Sequence, residues 1–346
     1  MRFSSSTLRT AAKYTILAVL VFFMGRYVFV QWETVKNVRV PDFHWLAFGT
    51  VSAVMGLSTA AWGYKFLIRS HGFNVSYPNT LGLYYVPMLG KYIPGKVWSI
   101  VAALHFYGRQ GIPKRVAATC VTICIALSLA SAALVTLVLG LTVGGPKGLV
   151  WPCVAVVAIL IVGLYPPIFY RVANRTLQVF GRSQIETTVS FAGILRVLMI
   201  LIVAKLAYGT GFFLLIQSFH RAPWEDLPAV IALFTLAQIA GLVAIFAPAG
   251  IGVREGVLLV GLQPLIGPGP AIVITGACRL WQTAIELVMA GIGWLALRAD
   301  EGKKRSFDAR RGVGQGDRSL SSGEQVESRT ANPADSDSRN TRTLQT

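Results

Sequence analysis

Apolar runs long enough to cross a lipid bilayer recur along nearly the whole chain, and this pattern constrains the fold most tightly. A spanning helix needs about 20 predominantly apolar residues. Such runs are Ala12–Val30, Trp45–Ile68, Val116–Val143, Val150–Tyr170, Val189–Phe219, Leu227–Phe246 and Ala271–Leu297, with a shorter piece at Gly256–Ile266. Only 14% of the 346 residues are charged and 54% are hydrophobic, against about 25% charged in a soluble domain. The expectation is an all-α polytopic membrane protein with about eight transmembrane helices. No segment shows the two-residue period of strands, so no attached soluble catalytic domain is expected.

A formal net charge of +17 raises nucleic acid as a partner, but the distribution argues against it. Lys and Arg sit mostly at the ends of apolar runs, as topology determinants do. If the N-terminus is cytoplasmic, and residues 80–106 enter and leave on the same side, one side collects Lys65, Arg69, Arg109, Lys114, Arg115, Arg171 and Arg175. The other side holds only Lys36, Arg39, Lys147 and Arg221, and Trp32, Trp45, Trp151 and Trp224 fall at its span ends as an aromatic belt would. Eight spans with both termini inside is the consistent solution. The start, "MRFSSSTLRTAAKYTILAVLVFFMGRYVFVQW", has no small-residue cleavage site and reads as an uncleaved first span. Residues 1–298 form the expected membrane domain. Residues 299–346 are rich in Ser, Arg, Asp and Gly, with few large apolar residues, and read as a disordered cytoplasmic tail.

Two stretches interrupt this apolar pattern. In "YYVPMLGKYIPGKVW", Pro87, Gly90, Pro94 and Gly95 break a helix around Lys91, Tyr92 and Lys96. Broken backbone at membrane depth survives only inside protein or beside a water-filled cavity, which favours a re-entrant hairpin with the lysines near its tip. An interfacial loop with lysines snorkelling to headgroups is the other reading. In "IFAPAGIGVREG", Pro248, Gly250 and Gly252 break the chain before Arg254 and Glu255. Here a helix N-terminus and Arg254 would both favour an anion, with Glu255 orienting Arg254 or a nearby lysine. A tight turn with a surface ion pair is the alternative. The shared order of apolar arm, Pro/Gly break, basic residue and second arm, once in each half, fits an inverted repeat around a transport site, although no residue-level repeat is visible.

Arg279 and Glu286 lie seven residues apart in the last run, on one helix face together with Gln282 and Thr283. They either hold helices together, or line a substrate path and anchor Arg254 or Glu255. Arg26, Arg196 and Lys205 are further charges in apolar runs, with partners that sequence does not reveal. Cys120, Cys124, Cys153 and Cys278 suit apolar packing, and the four histidines do not cluster. There is no P-loop and no HExxH, so neither a metal nor another cofactor is expected, and no catalytic activity is assigned.

"LGKYIPGKVW" and "PAGIGVREG", in this order, resemble the flippase-like membrane domain of lysylphosphatidylglycerol synthases over roughly residues 12–298. The resemblance implies a stand-alone relative without the soluble aminoacyl-transfer domain. It implies a protein of the prokaryotic cytoplasmic (inner) membrane that moves a polar lipid between leaflets. Lys91, Pro94, Gly95, Lys96, Pro248, Gly250, Gly252, Arg254 and Glu255 would be its substrate-facing elements. The expected partners are membrane lipids, an anionic phospholipid or a polyprenyl-linked lipid, and envelope-biosynthesis proteins. Two other classes stay open: a membrane enzyme or accessory of lipid or envelope glycan assembly, and an ion-coupled transporter of a small solute using Glu255 or Glu286.

Overall fold

The computed structural model describes residues 41–92, 97–142, 171, 175, 189–244 and 250–327, with side chains at these positions except 97, 100 and 303–327. The expected spans Ala12–Val30 and Val150–Tyr170 lie outside the described residues, as do Pro94, Gly95, Lys96 and Pro248. Eight α-helices are described: α1 (Phe43–Ser70), α2 (Tyr77–Met88), α3 (Val97–Arg109), α4 (Lys114–Thr142), α5 (Phe191–Phe219), α6 (Leu227–Val243), α7 (Val253–Ile266) and α8 (Pro268–Glu327). No strand occurs among the described residues. Among the described residues five helical segments are long and apolar enough to cross a membrane: α1, α4, α5, Trp224–Val243 and Pro268–Gly302. The chain is an all-α polytopic membrane protein.

Helix starts follow local chemistry. Asp42 accepts the His44 N–H at 3.0 Å to cap α1, and the Ser190 hydroxyl accepts the Gly193 N–H at 3.2 Å to cap α5. Pro268 opens α8 three residues before the apolar run, because proline lacks a donor that the first turn would leave unused anyway. The chain divides into two units, Met1–Leu297 and Arg298–Thr346. The helix that begins at Pro268 continues to Glu327, into the segment whose composition reads as a disordered tail.

Lipid is as apolar as leucine, so helices in a bilayer associate through close packing of small residues and through polar contacts. The α1–α5 pair shows both. A Cβ on Gly49 would lie 2.9 Å from the Gly211 carbonyl oxygen, and one on Gly56 would lie 2.7 Å from the Ala204 carbonyl oxygen. Ser52 donates to the Ala207 carbonyl across the same seam at 2.8 Å. As numbering rises from Gly49 to Gly63 the partners descend from Gly211 to Ile200, so the two helices are antiparallel. Trp45, early in α1, meets Trp224, just beyond α5, with ring centroids 6.0 Å apart, which places two members of the expected aromatic belt at one end.

The outward surfaces of these helices are apolar. Phe48, Met55 and Trp62 of α1, Met199 and Val203 of α5, and Leu280 and Leu287 of α8 are exposed. A monomer in water rarely presents such a surface, and a bilayer is its natural solvent. Inside are two hydrophobic clusters. One joins α1, α2 and α5 through α8 around Tyr85, Phe212 and Phe234; the other joins α1 through α5, with Leu297 of α8, around Tyr64, Tyr107, Ile123 and Leu127.

Both sequence breaks produce helical hairpins. Proline at position 87 removes a donor, α2 ends at Met88, and a 3-10 turn over Leu89–Tyr92 follows. The arms α2 and α3 pack on each other. They have 12 and 13 residues, about 18–20 Å at 1.5 Å per residue, too short to cross a hydrocarbon core of about 30 Å. Gly90 is required at the tip, because a Cβ there would lie 2.6 Å from the Ser99 backbone nitrogen. α2 also crosses α8 with backbone against backbone where Gly82 meets Gly293.

At the second break α6 ends at Val243, three residues before its apolar run ends, and α7 begins at Val253, three residues before the run Gly256–Ile266. Gly250 and Gly252 have φ of +71° and +87°, values that L side chains rarely adopt. Gly250 also lies against α6: a Cβ there would sit 2.6 Å from the Cα of Gly241. The turn therefore packs directly on the preceding span, and α7, at 14 residues, is a short arm and not a span.

Candidate functional site

The two breaks meet on α8. From the first, the Lys91 ammonium contacts both carboxylate oxygens of Glu286, at 2.7 and 2.6 Å. The Tyr92 hydroxyl donates to the same carboxylate at 2.7 Å and lies 3.3 Å from the Thr283 hydroxyl. From the second, Glu255 reaches α8 about two turns earlier, with Oε1 3.5 Å from Nε of Arg279. Its other oxygen accepts the Gly252 N–H at 2.7 Å, so the carboxylate also caps α7. Glycine has no side chain to return the second bond of a capping box. The Arg279 guanidinium lies over the Tyr92 ring at 5.7 Å, which ties the two breaks to each other. Glu286 stands near the middle of Pro268–Gly302, away from both ends of the span. Ionised groups at that depth are stable only with partners, and these pairs provide them.

Arg254 is placed differently. Its guanidinium lies 5.4 Å from the Phe234 ring centroid, and its Nε and one terminal nitrogen are buried with no hydrogen-bond partner among the described residues. Lys205, in the middle of α5, donates to the Gln238 side-chain oxygen on α6 at 2.6 Å. The Gln238 amide nitrogen is buried without a partner among the described residues.

These groups line one half-open cavity of about 470 Å³. Its polar part holds Lys91, Lys205, Arg254, Glu286 and Gln238. Apart from Ser99 and Ser128, the rest of its wall is apolar or aromatic, including Leu57, Tyr64, Leu83, Tyr84 and Leu201. Those wall residues come from both hydrophobic clusters, so the cavity lies where the two cores meet. On one side the lining passes through Ile125 of α4 and Leu242 of α6, which are 48% and 43% exposed. Elsewhere on the same pair of helices Thr136 and Thr235 are hydrogen-bonded at 2.8 Å, which joins α4 to α6.

Of the residues singled out in the sequence, Lys91, Arg254 and Glu286 line this cavity. Tyr92, Glu255 and Arg279 stand behind them as partners. Gly250 and Gly252 shape the turn that presents Arg254. Lys205 was visible only as an isolated charge in an apolar run, and Gln238 carried no signal at all, because their pairing depends on how α5 and α6 pack. Arg196 lies over the Phe66 ring at 5.0 Å and does not line the cavity. Arg26 and Cys153 lie outside the described residues. Cys120, Cys124 and Cys278 are free and buried.

No curated protein matches the chain. One family model does, over residues 10–290, a stretch that includes both breaks and the cavity. The chain therefore belongs to the family described as the lysylphosphatidylglycerol synthase TM region, multi-pass membrane proteins of lipid biosynthesis and transport.

Proposed function

We propose that the protein is a flippase or transporter that carries the polar headgroup of an anionic or lipid-linked substrate between the leaflets of the cytoplasmic membrane, with both termini inside. One observation carries this reading: a single cavity joins a cationic end at Lys91, Lys205 and Arg254 to an apolar wall open between α4 and α6. A headgroup needs the first part and a hydrocarbon chain needs the second. A small soluble solute has no use for an opening flanked by exposed Ile125 and Leu242. The inverse arrangement, headgroup in lipid and chain in the cavity, would leave the phosphate unsolvated and the cations unpaired. In this reading the protein is a carrier and its partners are lipids.

The test is leaflet exchange of labelled anionic and polyprenyl lipids in proteoliposomes. Wild-type protein should accelerate exchange of at least one of them, and Arg254→Ala should reduce that rate by tenfold or more, since a charge-assisted hydrogen bond contributes about 1.5–3 kcal/mol. Equal rates for wild type and Arg254→Ala with every lipid would overturn the proposal. So would proton flux driven by a soluble solute in the absence of lipid exchange.

A further inference from the structure

The charges that line the cavity do not cancel, and the excess has a definite position. Among the described residues the lining holds three cations, Lys91, Lys205 and Arg254, and one carboxylate, Glu286. Glu286 is already committed, to Lys91 through both oxygens and to the Tyr92 hydroxyl. The neighbouring pair of Arg279 and Glu255 balances itself. Lys205 is held by a neutral amide oxygen. Arg254 rests on an aromatic ring with two of its nitrogens unpartnered among the described residues. Lys205, Arg254 and Lys91 line the same cavity, so like charges face one another there.

We infer that this cavity seats a phosphate group carrying two negative charges, that of a phosphate monoester or diphosphate lipid, with Lys205 and Arg254 as its holders. The inference rests on the lipid reading above and narrows it to a headgroup class. A buried cation left unpaired opposes folding. A ligand with two charges leaves neither Lys205 nor Arg254 unpaired, whereas a singly charged phosphodiester leaves one. The donor set suits such a group. Arg254 offers a planar fork and Lys205 a compact point charge, and the free Gln238 amide N–H stands beside Lys205. Arg254 lies in the first turn of α7, where the helix dipole adds positive potential. Lys91 is the cation of the cavity that the ligand does not need.

The experiment measures equilibrium binding to the purified full-length protein at a pH that removes the second phosphate proton. The probes are phosphatidic acid, phosphatidylglycerol with the same acyl chains, a polyprenyl monophosphate, and inorganic phosphate as the free anion. Phosphatidic acid and the polyprenyl monophosphate should bind about tenfold or more tightly than phosphatidylglycerol, the equivalent of one further charge-assisted contact. Lys205→Gln should bring the two headgroup classes to equal affinity, and Lys205→Arg should restore the preference. Equal affinities in the wild type, or a preference that survives Lys205→Gln, would overturn the inference. Inorganic phosphate competing at the same concentration as the lipids would overturn its lipid part. Leaflet exchange separates the two claims. Exchange without headgroup preference removes this inference and leaves the lipid reading standing. Tight monoester binding with no lipid exchanged removes the transport reading and leaves the seat.

Discussion

Removing the carboxylate of Glu286 tests the junction of the two breaks directly. Glu286 is a single acceptor for three contacts, two from Lys91 at 2.7 and 2.6 Å and one from Tyr92 at 2.7 Å. The side chains of Lys91 and Glu286 are 23% and 7% exposed, so little solvent screens them. Breaking one side of a buried ion pair costs about 3–5 kcal/mol in soluble proteins, whereas polar contacts between membrane helices average about 0.6 kcal/mol and reach about 1.7. Three such contacts, and an ammonium left alone, place Glu286→Leu at a loss of about 3 kcal/mol. Lys91→Met should lose less, about 1–2 kcal/mol by the same reckoning, because the carboxylate it leaves keeps Tyr92 and is still attracted by Arg254. The double variant replaces the pair by apolar groups and should lose about 1 kcal/mol or less. The cycle is therefore non-additive by at least about 2 kcal/mol. The assay is reversible unfolding of the four proteins in mixed micelles. A loss under about 1 kcal/mol for Glu286→Leu, or single losses that simply add, would refute the claim that this pair joins the hairpin to α8.

Gly250→Ala should destabilise by about 3 kcal/mol or more, since φ is +71° and the new methyl meets the Gly241 backbone, whereas Gly72→Ala, at φ +86° in open space, should cost only about 1–2 kcal/mol; thermal inactivation compares them. Gly82→Leu or Gly293→Leu should sharply lower the yield of folded protein, because the α2–α8 crossing has no room for a side chain, and Gly276→Ala, which meets nothing within 4 Å, should not; size-exclusion profiles of the solubilised proteins decide. Ser128→Trp projects from α4 into the cavity and should slow lipid exchange with the fold intact, while Val138→Trp, on the exposed part of the same helix, should leave the rate unchanged; proteoliposome exchange assays and circular dichroism read the two effects.

The spans were legible because apolar length is a local property. Trp45–Ile68 became Phe43–Ser70, and Val189–Phe219 became Phe191–Phe219. The breaks were legible for the same reason, since Pro87, Gly250 and Gly252 act on the backbone wherever they stand. Their partners were another matter. Glu255 was a candidate to orient Arg254 or a lysine, or to be anchored from the last span; it pairs with Arg279 of that span and accepts the Gly252 N–H. Lys91 was a candidate to meet substrate charge or to snorkel to headgroups, and it is tied to Glu286 across 195 positions of sequence. Lys205 carried a warning, as a charge in an apolar run, but nothing local tied it to Gln238 or to Arg254.

By itself the sequence determined that the chain is helical, that it crosses a membrane several times, and that it breaks near Lys91 and before Arg254. Those outcomes follow from hydrocarbon thickness and from the backbone chemistry of proline and glycine, which need no knowledge of neighbours. Only the tertiary structure decided that both breaks converge on α8, that Glu286 neutralises Lys91, and that Arg254 and Lys205 are left facing one cavity. Charge balance is a property of distances between helices, and residues far apart in sequence set those distances through close contacts such as Gly82 with Gly293 and Gly250 with Gly241.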